Sequence, residues 1–128
     1  MALNKGQILQ LDDIQRKEIE VPVWDATVII RQLSRGQQDE YMRRRFTNSA
    51  MKHSGGGQEL DSKVDLFGHD AWLVAQAVCD EDGNRLFSNS DVKELEKKNG
   101  EAIGFIAVEI VKFSGMSKEV EELEEAKN

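Results

Sequence analysis

The residues that most resemble a chemical site lie in the run Asp80-Glu81-Asp82-Gly83-Asn84, which has the composition of a calcium-binding loop. An EF-hand loop places oxygen ligands at positions 1, 3 and 5, glycine at position 6 and a bidentate glutamate at position 12. Counted from Asp80, the glycine falls at position 4 and Asp91 at position 12, so the register does not fit. We interpret this run as a structural turn.

A zinc or iron site would need clustered cysteine and histidine, and the available residues are His53, His69 and Cys79. His69 and Cys79 are nearly three helical turns apart, so one helix cannot bring both to one ion. We therefore expect a surface His69, a small, semi-buried Cys79 and no metal site.

Nucleophilic and phosphate chemistry also lack support. Cys79 has no histidine at a spacing that indicates a thiolate pair. The run Gly55-Gly56-Gly57 lacks the following Lys-Ser/Thr of a phosphate-binding loop. The sequence predicts no catalytic residue and no cofactor, so a binding protein is favoured over an enzyme.

Length and composition indicate one folded domain. The chain has 128 residues, 39% apolar and 32% charged, within the globular range. Its single cysteine indicates a reducing compartment. No apolar run approaches the length of a membrane span, and no secretion-type N-terminus is visible, so a cytoplasmic location is expected.

The charge is unevenly distributed. Residues 1–60 carry nine basic and eight acidic groups, whereas residues 61–128 carry eight and sixteen, which together give the net charge of −7. An acidic surface repels phosphate backbones, so nucleic-acid binding is disfavoured.

The first half of the chain predicts a β-hairpin and a helix. Residues 1–16 show no clear period and are expected to form a flexible arm. Alternation at Ile19, Val21 and Val23 predicts a strand, and Thr27–Arg31 a returning one. Ser34, with Gln37 three residues later, predicts a helix start, with the helix running to about Met51.

The second half predicts further helices. A stripe from Val64 to Val78 indicates an amphipathic helix starting near Asp61 or Ser62. Another helix is expected to start at Ser88-Asn89-Ser90-Asp91. The spacing within residues 101–114 favours a helix, although a strand stays possible, and Gly115 suits its C-terminal cap.

The predicted fold is α+β: an N-terminal β-hairpin followed by a bundle of four to five α-helices, mostly helical. Residues 17–116 form the single domain in this interpretation. Residues 117–128 form an acidic C-terminal helix or tail.

Candidate interface residues are few. Trp24 lies at the hairpin turn, where a large ring is hard to bury, and exposed aromatic residues often anchor interfaces. Arg43 and Arg44 belong to the one basic run, which either pairs with local acids such as Asp39 and Glu40 or contacts an acidic partner. Val120 and Leu123 are apolar residues in the acidic C-terminal segment.

Six short segments follow one another in a distinctive order. They are Val21-Pro22-Val23-Trp24, residues 28–34, Val74-Ala75-Gln76-Ala77-Val78-Cys79, residues 80–87, Phe113-Ser114-Gly115-Met116-Ser117 and Glu124-Glu125-Ala126-Lys127-Asn128. This order, from about Lys17 to the end of the chain, resembles that of the tail assembly chaperones of long-tailed bacteriophages and prophages.

The resemblance implies a non-enzymatic assembly factor. Such proteins bind the tape measure protein, and often the tail tube protein, in the host cytoplasm while the tail is built. They are absent from the mature virion, tend to form homo-oligomers and in many cases have a frameshifted longer form. The resemblance implies no active site. No small-molecule substrate and no membrane association are expected.

Two other classes compete with this interpretation. One is a structural virion component of the tail or the head–tail connection. The other is an acidic DNA mimic or a small, acidic regulatory binding protein. This class predicts a regular carboxylate spacing that the sequence does not show.

Overall fold

The computed structural model describes residues 1–46 and 69–125. Within these ranges the N-terminal hairpin is formed by strands β1 (Arg16–Val21) and β2 (Ala26–Arg31). They pair antiparallel from Arg16 opposite Arg31 to Val21 opposite Ala26. In β1 the apolar Ile19 is buried and its neighbours Glu18 and Glu20 are exposed, as the alternation predicts. The predicted hairpin is confirmed, but Val23, which the alternation assigned to the strand, lies in the turn that follows it.

The hairpin turn is a 3-10 turn at Pro22–Trp24, followed by Asp25 in the left-handed region with φ 50°. Because Pro22 follows β1, its missing N–H removes no hydrogen bond from the strand pair. Aspartate is one of the few non-glycine residues that adopt this backbone conformation at low cost. The turn therefore reverses the chain without a glycine.

A third strand, β3 (Val78–Cys79), was not predicted. It pairs antiparallel with β2, Ile30 opposite Val78 and Ile29 opposite Cys79, so the strand order is β1-β2-β3. The preceding helix α3 (Asp70–Ala77) ends one residue before Val78, whose ψ of 128° is extended. The apolar stripe that we extended to Val78 thus contains a helix-to-strand junction.

Helix α2 (Arg35–Phe46) begins as predicted. The Gln37 backbone N–H donates to Ser34 Oγ at 3.2 Å, and the Ser34 N–H donates to Gln37 Oε1 at 3.0 Å. The predicted end of this helix near Met51 and the predicted start of the next at Asp61 or Ser62 lie outside the described residues. The predicted glycine linker lies outside them as well.

The predicted helix after Ser88 is short. A 3-10 turn at Asn89–Asp91 leads into α4 (Val92–Leu95), and the Ser88 and Asp91 side chains form a capping box. Residues 101–113 are helical, within α5 (Gly100–Phe113), and Ser114 is the C-cap of that helix. Asn99 is its N-cap, and the Asn99 side chain accepts from the Ala102 N–H at 3.0 Å.

The C-terminus of α5 has the geometry of a Schellman motif. The Gly115 N–H donates to the carbonyl of Lys112, and the Met116 N–H donates to that of Val111. Gly115 has φ 77°, which explains the glycine at this position. The chain then enters α6 (Ser117–Glu125).

The core lies between one face of the sheet and the helices. Residues 71–77 of α3 are all buried, and α3 packs closely against α5. Fully buried side chains come from β1, β2, α3 and α5 and from the link to α6: Val21, Ile30, Leu73, Val74, Ile106, Ile110 and Met116. The arrangement is α+β and mostly helical, as predicted.

The N-terminal segment contains a short helix that we did not predict, α1 (Lys5–Leu9). Residues 1–13 are all exposed, and Ile14 is the first that is partly buried. The flexibility of this arm stays a prediction.

Candidate functional site

The hairpin turn carries the first candidate surface. Val23 is 40% exposed and Trp24 38% exposed, and their 3-10 turn contacts α5. Trp24 therefore lies in a turn that packs near α5, with more than a third of its surface open to solvent. Its proposed role in an interface stays a prediction.

The three consecutive arginines of α2 have different environments. Arg43 and Arg44 both pair with Glu40, and Arg44 does so at 3.1 Å. The Arg44 guanidinium also lies over the ring of Trp72, 4.8 Å from its centroid. Arg45 is buried and donates to the Tyr41 hydroxyl at 3.0 Å. Local acid pairing accounts for Arg43 and Arg44 as they stand, and contact with an acidic partner stays a prediction.

A groove lies where α2, α3, α5 and α6 meet. It has a volume of about 380 Å³, and we call it the α5 groove. It is lined by Tyr41, Arg45, His69, Asp70, Leu73, Ala107, Val108, Val111, Lys112, Ser117, Val120 and Glu121. The lining mixes apolar with charged side chains, and Arg45 and His69 among them are buried.

Val120, one of the candidate interface residues, lies in this groove. It is 7% exposed, because α6 packs it against the body of the protein. It therefore contributes to the wall of a depression and does not project from the surface. The side chain of the second candidate, Leu123, lies outside what the structure describes.

The charged edge of the α5 groove is partly desolvated. Burial raises the pKa of Asp70 above its ordinary value, while the nearby charges of Arg45 and His69 lower it in part. His69 is 8% exposed, so our expectation of a surface histidine was wrong. It precedes α3 directly and is covered where that helix enters the core, which its place in the sequence did not reveal.

The acidic turn after β3 is structural. Asp80 Oδ1 accepts from the backbone N–H groups of Asp82 and Asn84, both at 2.9 Å. Hydrogen bonding, above all from the Asn84 backbone, holds the pKa of Asp80 below its ordinary value. Gly83 has φ 88°, and its carbonyl accepts from Arg31 Nη1 at 3.0 Å, which fastens the turn to the sheet.

Cys79 is fully buried behind this turn, more deeply than the semi-buried position that we expected. Burial raises the pKa of its thiol, and the charges of Arg31 and Arg16 oppose that rise only in part. A thiol with a raised pKa is a weak nucleophile. In residues 1–46 and 69–125, no three His, Cys, Asp or Glu side chains are grouped so that they could hold a metal ion.

The described helices are also too short or too polar for a bilayer. Across the two described ranges, none is long and apolar enough to cross a membrane.

Sequence reasoning missed most of the α5 groove. Ile103, Ile106 and Ile110 form the buried stripe of α5. Val108 lies off that stripe and is 51% exposed. An apolar residue off the core stripe was the available indication of a second apolar surface on this helix.

Comparison with known proteins identifies the family. A family model described as phage tail assembly chaperone matches residues 5–127. A solved structure of the bacteriophage HK97 tail assembly chaperone is similar in fold, with a TM-score of 0.55 and 16% sequence identity over 84% of this chain and 90% of that one. No curated protein shows a significant sequence match. Since the family model spans nearly the whole chain, this protein belongs to the phage tail assembly chaperone family.

Proposed function

We propose that this chaperone binds the tape measure protein of a phage tail while the tail is built, and the tail tube protein as a second partner. The observation that carries the proposal is the family match over residues 5–127. In this role the protein performs no catalysis, acts in the cytoplasm of the bacterial host and leaves before the virion is complete.

Exposed apolar surface on the body of the protein supports a protein partner. A tape measure protein is long and helical, and its apolar helix faces need cover before the tail assembles around it. At the hairpin turn, Val23 and Trp24 offer half-exposed apolar side chains on a rigid support, because the turn contacts α5. A tryptophan side chain has only two χ angles, so it loses little conformational entropy when a partner covers it.

The chemistry of the described polar groups also supports a binding role. The Asp80 carboxylate is occupied by two backbone N–H groups, and the Cys79 thiol is buried with a raised pKa. The net charge of −7 disfavours a nucleic-acid partner.

Substitution at the hairpin turn tests which surface the partner uses. We expect Trp24→Ala to weaken binding of a co-expressed tape measure protein at least tenfold, measured by titration of the purified chains. Leu86→Ala is the matched control, because Leu86 is also exposed, at 55%, and belongs to a different surface. Unchanged binding by Trp24→Ala would remove the hairpin turn from the interface and leave family membership untouched.

Mass spectrometry of purified particles tests whether the protein leaves the virion. We expect peptides of the tube and tape measure proteins and none of this chain. Its presence at a fixed copy number would instead favour a structural component of the tail.

We propose in addition that the chain forms homo-oligomers. Apolar residues exposed on two surfaces, the N-terminal arm and the α5 groove, support self-association.

A further inference from the structure

The N-terminal arm exposes an unusual amount of apolar surface for a 15-residue segment. Four large apolar side chains in residues 1–15, beyond the first residue, are at least half exposed: Leu3 53%, Ile8 53%, Leu9 74% and Leu11 51%. Isolated apolar residues on a surface need no explanation, but four within nine positions form a patch. The patch is carried by a segment that the body of its own chain leaves uncovered.

The arm is nevertheless organised as a helix. The Gln7 N–H donates to Asn4 Oδ1 at 2.9 Å, and the Asn4 N–H donates to Gln7 Oε1 at 3.0 Å, a complete capping box. Leu3 just before the cap and Ile8 in the first turn occupy the two positions of a hydrophobic staple. A five-residue helix is unstable alone in water, so α1 needs a surface to pack on.

The α5 groove offers apolar surface on the body. Its lining includes Leu73, Val111 and the half-exposed Val108. A cavity of about 150 Å³ takes one benzene-sized group, so the volume of about 380 Å³ suits two or three leucine-sized side chains. No residue of the arm is among those that line the groove in the described structure.

Lys5 is the one charged side chain in residues 1–11. Asp70 and Glu121 line the groove, and Glu122 and Glu125 are exposed along α6. Lys112 and the buried Arg45 line the groove as well, so its charges are balanced, and an attraction for Lys5 is confined to Asp70 and the acidic residues of α6.

We propose that the N-terminal arm of one copy docks α1 into the α5 groove of a second copy. The inference deepens the proposed self-association and rests on it. Within one chain the arm is anchored at its root, where Gln15 and Gln32 exchange hydrogen bonds of 2.9 Å at the start of the sheet, and its apolar side chains remain exposed. Because arm and groove are different surfaces, the contact is heterologous, and it builds rings or open chains of copies.

The first test measures self-association of the full chain against concentration by light scattering. We expect the combined change Ile8→Asp with Leu9→Asp to raise the concentration for half-association at least tenfold. We expect Val108→Asp in the groove to raise this concentration as well. Leu86→Asp, at an exposed residue outside the arm and the groove, is expected to leave the concentration for half-association unchanged. Circular dichroism verifies that each variant keeps the helical content of the unmodified chain.

The second test traps the contact. In a Cys79→Ala background, chains with Leu9→Cys and differently tagged chains with Val108→Cys are mixed and oxidised. A disulfide between the two tags is the expected product. Self-association that persists unchanged in the arm and groove variants, or the absence of a disulfide between the two tags after oxidation, would overturn the proposal. A chain that stays monomeric at all concentrations would overturn the proposed self-association as well. It would not affect the proposed binding of tail proteins, which is tested by titration with the tape measure protein.

Discussion

The guanidinium of Arg44 lies over the indole ring of Trp72, 4.8 Å from the ring centroid. This contact joins α2 to α3, two helices whose connecting residues 47–68 lie outside the described structure. Trp72 is 5% exposed, so the arginine covers a ring that is otherwise in the core. A residue that sequence reasoning considered as an interface candidate thus has a packing role within the chain.

We therefore expect Arg44→Ala to lower the free energy of unfolding by about 0.5–1 kcal/mol, mainly through the lost cation–π contact. Arg43→Ala is the matched control, because Arg43 pairs with the same Glu40 but is 60% exposed and, among the described residues, lies over no aromatic ring. Its effect should stay within about 0.5 kcal/mol. Urea denaturation measures the free energy of unfolding of both variants. Equal losses in the two variants would contradict a stabilising contact between Arg44 and Trp72.

The Ser114 hydroxyl supports a second long-range contact. It accepts from the backbone N–H of Leu33 at 2.9 Å, across 81 positions in sequence, and so joins the end of β2 to the end of α5. Leu33 is 3% exposed, so Ser114→Ala would leave a buried donor unsatisfied. The expected loss is about 1–3 kcal/mol of unfolding free energy. Ser114→Thr keeps the hydroxyl and should lose much less; equal losses would show that the hydrogen bond is unimportant.

The C-terminus of α5 depends on Gly115. Its φ of 77° is strained for any residue with a Cβ, although an added Cβ would meet nothing within 4 Å. Gly115→Ala is therefore expected to cost about 1 kcal/mol through the backbone alone. Gly100→Ala also adds a Cβ in open space, but at a position without a positive φ, so it should leave the protein equally or more stable. Thermal unfolding of both variants distinguishes the cost of the backbone conformation at Gly115 from any steric cost of an added Cβ.

The Asp80 carboxylate predicts a pH dependence of stability. Its pKa is lowered in the folded chain, because the Asn84 and Asp82 backbone N–H groups bind the charged form. The stabilisation is therefore present above the unfolded-state pKa of about 4 and is lost as the pH falls through the lower, folded-state value. Asp80→Ala should reduce the melting temperature at pH 7, and its difference from the unmodified chain should shrink towards pH 3. A difference that is constant from pH 7 to pH 3 would contradict this assignment.

Local patterns predicted much of the fold. Alternation at Ile19 and Val21 indicates a strand whatever it packs on, and the caps at Ser34 and Gly115 depend on residues a few positions away. Features that depend on tertiary contacts were harder to predict from the sequence. The extended backbone of Val78 follows from its pairing with Ile30, and a short apolar run alone does not distinguish a strand from the end of a helix.

The candidate surfaces show the same division. The position of Trp24 at a turn could be predicted, because a turn depends on residues that are neighbours in sequence. Trp24 is partly exposed there. The α5 groove depends on how four helices meet, which no single segment encodes. Helix α1 had a readable pattern in Asn4 and Gln7, the ends of a capping box, although the short apolar run after it gave no helical period.

The central claim is that this chaperone binds a tape measure protein. The most direct test is to co-express the full chain with the tape measure protein of the same phage. Two quantities are measured: the fraction of the tape measure protein that is soluble, and the amount of it that co-purifies with this chain by affinity chromatography. We expect the tape measure protein to become soluble and to co-purify with this chain in a defined ratio. A tape measure protein that stays equally insoluble with and without this chain, and never co-purifies with it, would contradict the claim.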